Sequence, residues 1–127
     1  MSALVAVYVD GFSGTASHDG STIQVWLHGA ADDASLDSLE MVLTRVHADA
    51  TRLAVTDVAV DVRELGHVNA SCFNSMMSWV NELRALPDGR RYQVTFRANP
   101  KVLWQRRNLQ SLRAFAPELI RVVDDQP

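Results

Sequence analysis

Apolar residues change their spacing several times along the chain, and each change predicts a new element. Residues 4–9 (LVAVYV) alternate and are rich in valine, which predicts a strand. Residues 11–21 (GFSGTASHDGS) are dense in Gly, Ser and Asp and read as a turn or loop. Residues 22–28 (TIQVWLH) predict a second strand, pairing with the first as a long-looped hairpin. After a connector at 29–33, apolar residues fall at Leu36, Leu39, Leu43, Val46 and Ala50. That is helical spacing with one buried stripe, and it predicts a helix over 34–50 capped by Asp32 or Asp33.

Residues 55–62 form a valine-rich run expected to be a strand buried on both faces, since it lies between two helices in sequence. A tight polar turn then leads to a helix opening on Asn69-Ala70-Ser71-Cys72, with its stripe at Phe73, Met76, Met77, Val80 and Leu83. Leu86-Pro87-Asp88-Gly89 ends it. Residues 92–98 predict a strand, and residues 101–116 a helix with Leu109, Leu112 and Ala116 inward, stopped by Pro117. Residues 119–123 predict a last short strand before a polar tail at 124–127. The order β-β-α-β-α-β-α-β predicts an α/β fold. Its sheet is mixed but largely parallel, with right-handed crossovers, amphipathic helices packed on it and an antiparallel edge strand from the N-terminal hairpin. Residues 1–127 read as a single domain, without repeats or linkers.

Composition narrows the class. With 127 residues, 47% of them hydrophobic, the chain can bury a core without disulfides or a structural metal. Cys72 is the only cysteine, so neither an internal disulfide nor a cysteine-cluster zinc site is available. The N-terminus lacks the basic and apolar regions of a secretory signal, and no run approaches the ~20 apolar residues of a membrane span. A cytoplasmic protein with no membrane partner is the expectation. Net charge is −3, with residues 1–64 at −7 (ten acids, three arginines) and residues 65–127 at +4 (five acids, nine bases). An acidic total argues against a nucleic-acid partner, whereas the asymmetry suits either an oppositely charged protein surface or plain solvated faces.

Candidate chemistry is sparse. Short polar residues at the helix start, Asn69 to Cys72, lie beside unsatisfied backbone N–H groups in a field that favours anions. Cys72 near His67 suggests a nucleophile pair, but nothing in the sequence marks an acid or an oxyanion hole, and a lone cysteine there reads as a small buried residue. The four histidines, His18, His28, His47 and His67, have no metal-ligand spacing. The glycines form no phosphate loop, because Gly11-x-x-Gly14 is followed by a strand and not a helix. No enzymatic activity, cofactor or metal is expected. Trp79 lies off the apolar stripe, either packing on a neighbouring helix or marking a binding surface. Arg106 and Arg107, with Lys101 and Arg113, make a basic face on the last helix.

Placed in this order, the anchors TIQVWLHGAAD, VAVDVRELGHVNASCF and YQVTFRANPKVLWQRRNLQSL resemble the STAS family, the domains named for sulfate transporters and anti-sigma factor antagonists. The resemblance covers about residues 20–123. In that family the strand leads to Asp-Ser-Ser/Thr-Gly at the start of the next helix, and a partner kinase that doubles as anti-sigma factor phosphorylates the first serine. The segment from Leu103 is similar to a bacterial STAS-like branch in which the Asp is commonly Asn and a tryptophan–glutamine pair opens the last helix. Here Asn69 stands at the acidic position, Ala70 at the phosphoacceptor, Ser71 at the second hydroxyl and Cys72 at the glycine.

Alanine has no hydroxyl, so phosphorylation at Ala70 is impossible. Ser71 is the possible substitute acceptor, turned by ~100° along a helix, and Asn69 and Ser71 read equally well as helix-capping residues. The resemblance implies a non-enzymatic, partner-switching interaction module that docks a kinase-type anti-sigma factor or another STAS-associated regulator. His67, Asn69, Ala70, Ser71, Cys72 and Asn74 would form its surface. The alternative is a module of the same fold that binds a nucleotide or other anionic small molecule at the helix start, with Arg106 and Arg107 assisting.

Overall fold

The computed structural model describes residues 2–124. Its chain begins with three consecutive strands, β1 (Ser2–Val9), β2 (Phe12–Asp19) and β3 (Thr22–Ala31), paired as an antiparallel meander. The segment 11–21 is therefore a strand with its turns, not a loop, and the first and third strands pair with it instead of with each other. Two-residue turns at Asp10–Gly11 and Gly20–Ser21 make this possible, with Gly11 and Gly20 at φ of 80° and 61°. Along β2, Phe12, Gly14 and Ala16 are buried beneath the helix that follows β3. A Cβ on Gly14 would stand 3.0 Å from Val42 Cγ2 and 3.2 Å from Leu27 Cδ2, so the helix can approach only over a glycine.

After β3 come α1 (Leu36–Arg52), β4 (Asp57–Asp61), β5 (Leu65–Val68), α2 (Ala70–Ala85), a one-turn 3₁₀ segment (Asp88–Arg90), β6 (Gln93–Ala98), α3 (Leu103–Phe115) and β7 (Ile120–Asp124). Ser35, not Asp32 or Asp33, occupies the α1 cap position. Asp32 Oδ1 instead accepts from the Ala34 N–H at 3.0 Å, and Ser35 Oγ accepts from the Asp32 N–H at 2.9 Å.

The sheet runs β1-β2-β3-β4-β6-β7, with β3, β4, β6 and β7 mutually parallel. These strands are added in one direction. Right-handed crossovers of that kind carry α1, α2 and α3 to the same face. Burial follows: Ile23, Val25 and Leu27 of β3, Val58 and Val60 of β4, and Val94 and Phe96 of β6 are all at most 1% exposed. Their alternates face the other way. Trp26, Ala59 and Thr95 are half-buried, and His28, Asp57 and Gln93 are exposed. The strand expected to be buried on both faces is fully buried on one and only partly on the other, where Asp61 is buried, Ala59 half-buried and Asp57 exposed.

The turn expected between residues 62 and 69 contains a strand. β4 stops at Asp61, whose carboxylate accepts the Arg63 N–H at 3.1 Å and pairs with its guanidinium at 2.8 Å. Burial works to raise this carboxyl's pKa, but the Arg63 hydrogen bonds and the charges of Arg63 and Arg97 outweigh it and hold it below the usual range. Past this corner, β5 takes over the edge of β3, pairing Leu65 with Gly29, His67 with Ala30 and Val68 with Ala31. That register delivers the chain to the start of α2.

Candidate functional site

Asn69 is held between two elements distant in sequence. Its N–H donates to Ala31 O at 2.9 Å, extending the β3–β5 pairing. Its backbone is extended (φ −82°, ψ 175°), and Oδ1 accepts from the Cys72 N–H at 2.9 Å, the geometry of a helix N-cap. Nδ2 donates to Asp33 Oδ1 at 2.9 Å. One turn on, the Ser75 hydroxyl donates to Glu40 Oε2 at 2.9 Å. The first turns of α2 are thus tied to the β3–α1 connection and to α1 itself.

Cys72 is fully buried, its thiol donating to Asp32 O at 3.4 Å. Burial pushes the thiol pKa up, and the Asp32, Asp33 and Glu40 carboxylates push it further. Such a thiol is protonated and inaccessible. It lies inside the proposed surface, and His67 is exposed to solvent. The same carboxylates already answer the partial positive charge of the α2 N-terminus. An added anion there would meet three like charges. The residues that do face solvent are His67, Ala70, Ser71 and Asn74, with Asn69 half-buried between them.

The other flank of this surface is the start of α3. Trp104 Nε1 donates to Leu65 O at 2.7 Å, and Gln105 Nε2 donates to Val62 O at 2.6 Å and to Leu65 O at 3.1 Å. Gln105 Oε1 accepts from the Asn99 N–H at 2.7 Å, and the side chain is only 2% exposed. The adjacent Trp and Gln therefore satisfy the backbone of the β4–β5 corner and lash it to α3. Their structural weight was visible in the sequence only as a family pattern. Leu103, by contrast, is 74% exposed. It shares a shallow recess of about 350 Å³ with Gly66, His67, Trp104 and Arg107. Arg106 opens instead on a separate recess of about 190 Å³ with Asn99, Gln110 and Asp124. The two arginines are adjacent in sequence but do not converge on one site.

A third recess, about 250 Å³, separates α1 from α2 and is lined by Glu40, Thr44, Ser75, Ser78 and Glu82. Trp79 forms its floor and is 3% exposed, so it packs in the core and does not mark a surface. Its Nε1–H donates to the Tyr92 hydroxyl at 2.9 Å, and that hydroxyl lies 2.7 Å from His47 Nδ1. An indole N–H can only donate, so the Tyr92 oxygen accepts from Trp79, which leaves its hydroxyl hydrogen free to donate to the Nδ1 of a neutral His47. Burial lowers the His47 pKa against a smaller opposing pull from Glu82. Among the described residues no cluster of His, Cys, Asp or Glu could hold a metal, and no helix is long and apolar enough to cross a membrane.

No family model matches the sequence, and no curated relative does. Solved structures do match. An anti-sigma factor antagonist from Mycobacterium paratuberculosis superposes with a TM-score of 0.63 at 15% identity, covering 88% of this chain and 86% of its own. The anti-sigma factor antagonist SpoIIAA in its unphosphorylated form gives 0.54 at 15% identity, covering 88% and 89%. The Bacillus cell fate determinant SpoIIAA in the phosphorylated form gives 0.55 at 14% identity, covering 88% and 92%. The chain therefore shares the fold of these anti-sigma factor antagonists, the STAS-like architecture expected from its sequence.

Proposed function

We propose that the chain is a cytoplasmic, non-enzymatic regulatory module of the anti-sigma factor antagonist type, docking a kinase-type anti-sigma factor or a related STAS-associated regulator. The observation that carries this reading is the open surface at the start of α2. His67, Ala70, Ser71 and Asn74 are presented to solvent there by a rigidly capped helix, between the β3–α1 connection and the start of α3. An exposed, well-anchored helix end suits a protein partner better than an enclosed ligand. The fold neighbours, themselves anti-sigma factor antagonists, support the same reading. Because Ala70 lacks a hydroxyl, the module stays in one binding state unless Ser71, also exposed, accepts the phosphate.

The anionic-ligand alternative loses support from the carboxylates around the α2 N-terminus and from the divergence of Arg106 and Arg107. The decisive experiment is calorimetric titration of the chain with the kinase-type anti-sigma factors of its own host. Binding is expected, and Ala70→Glu, which places a negative charge where the family carries phosphate, should abolish it while leaving the fold intact. No binding to any of them, together with thermal stabilisation by nucleotides, would replace this reading with the ligand-binding one.

A further inference from the structure

The two edges of the sheet are built differently. β7 is five residues long and carries Arg121 and Asp124, charges of the kind that keep an edge from pairing. β1 is eight residues long (SALVAVYV), with neither a charge nor a proline. Among the described residues it pairs only with β2, so its outer row of N–H and C=O groups has no strand beside it. The single irregularity lies between Ala3 and Val5, leaving the stretch from Val5 to Val9 regular. Exposed apolar bulk gathers at the same place: Tyr8 is 74% exposed and Val9 41%.

We infer that β1 is the interface of a homodimer, in which two copies pair antiparallel through this strand and continue the sheet across a two-fold axis. A second copy fits better than a foreign chain because of charge. Across a two-fold axis residue i of one copy meets residue j of the other and j meets i, and both copies carry the same net charge, so an edge bearing charges of one sign would repel its partner where a neutral edge does not. The chain as a whole is acidic, with −7 in its first 64 residues, yet these eight positions carry none. A foreign strand would gain specificity from charges along the edge, which β1 does not offer. An edge about 27 Å long and one sheet plus one helix deep supplies on the order of 500 Å² a side. That reaches the lower limit of specific contacts, roughly 1,000 Å² in total. A reversible dimer of modest affinity results, separate from the docking surface at α2.

Sedimentation velocity of the full chain from micromolar to millimolar concentration tests this. A concentration-dependent dimer is expected, and the double variant Ala6→Lys/Tyr8→Lys, at two exposed positions of β1, should weaken it at least about tenfold with an unchanged circular dichroism spectrum. Amide exchange on the unaltered protein supplies an arm independent of the variant. Exchange of residues 5–9 should slow as concentration rises, with the rest of the sheet unaffected. A monomer throughout, a dimer indifferent to both lysines, or a dimer without added protection at residues 5–9 would overturn the inference.

Discussion

Asn69 does two things that an aspartate in its place could not do together. Its amide oxygen caps α2, and its amide nitrogen donates to the Asp33 carboxylate. Asn69→Asp keeps the acceptor but sets a second carboxylate against Asp33. It should cost about 1–2 kcal/mol at neutral pH. The loss should shrink as pH falls through the carboxylate range, where one of the pair regains a proton to donate. Urea unfolding at two pH values measures both effects. Gln105 carries more. Gln105→Leu leaves the Val62 carbonyl and the Asn99 N–H without their side-chain partner in a buried setting, and about 2–4 kcal/mol of lost stability is expected in the same assay. The cap was legible in the sequence, because a short polar residue before an apolar stripe has few other meanings. The Asp33 contact was not, since nothing in a spacing of 36 residues says that two side chains meet.

At the scale of elements, the helices were legible and the β2 and β5 strands were not. In α2 the buried set is Cys72, Met76, Trp79, Val80 and Leu83, a stripe slightly rotated from the expected one that brings Trp79 inside. β2 did alternate, but its inward positions include Gly14 and Ala16, whose small size answers the closeness of α1 and so erased the apolar signal. β5 is four residues long and includes Gly66 and His67, too short for a period to show. The α1–α2 packing carries a titratable group. Burial holds the His47 pKa below its ordinary 6.5, so on acidification the unfolded chain takes up this proton before the folded one. The contribution is complete above 6.5 and is lost as pH falls through the depressed folded value. Thermal melts across that interval should therefore show stability declining with acidification, more steeply than in His47→Gln, which cannot protonate.

For the molecule as a whole, the decisive feature is that strands were added in one direction, leaving one sheet face under three helices and the other open. The expected right-handed crossovers imply such a face once the strand order is known, but sequence does not state that order. The two faces should answer differently to substitution. Val94→Ala, on the covered face, should cost about 2–3 kcal/mol, and Thr95→Ala, its neighbour on the open face, about 0.5 kcal/mol or less. Differential scanning calorimetry of both variants checks this.

Such a sheet stores its fold in alternate residues. From β3 to β7 packing constrains mainly the inward positions, while the outward ones, Gln24 or Thr95 for example, are free to drift. A lineage can rewrite nearly half of every strand without moving a helix. Such freedom is compatible with chains that share only 15% of their residues and still superpose along 88% of this one.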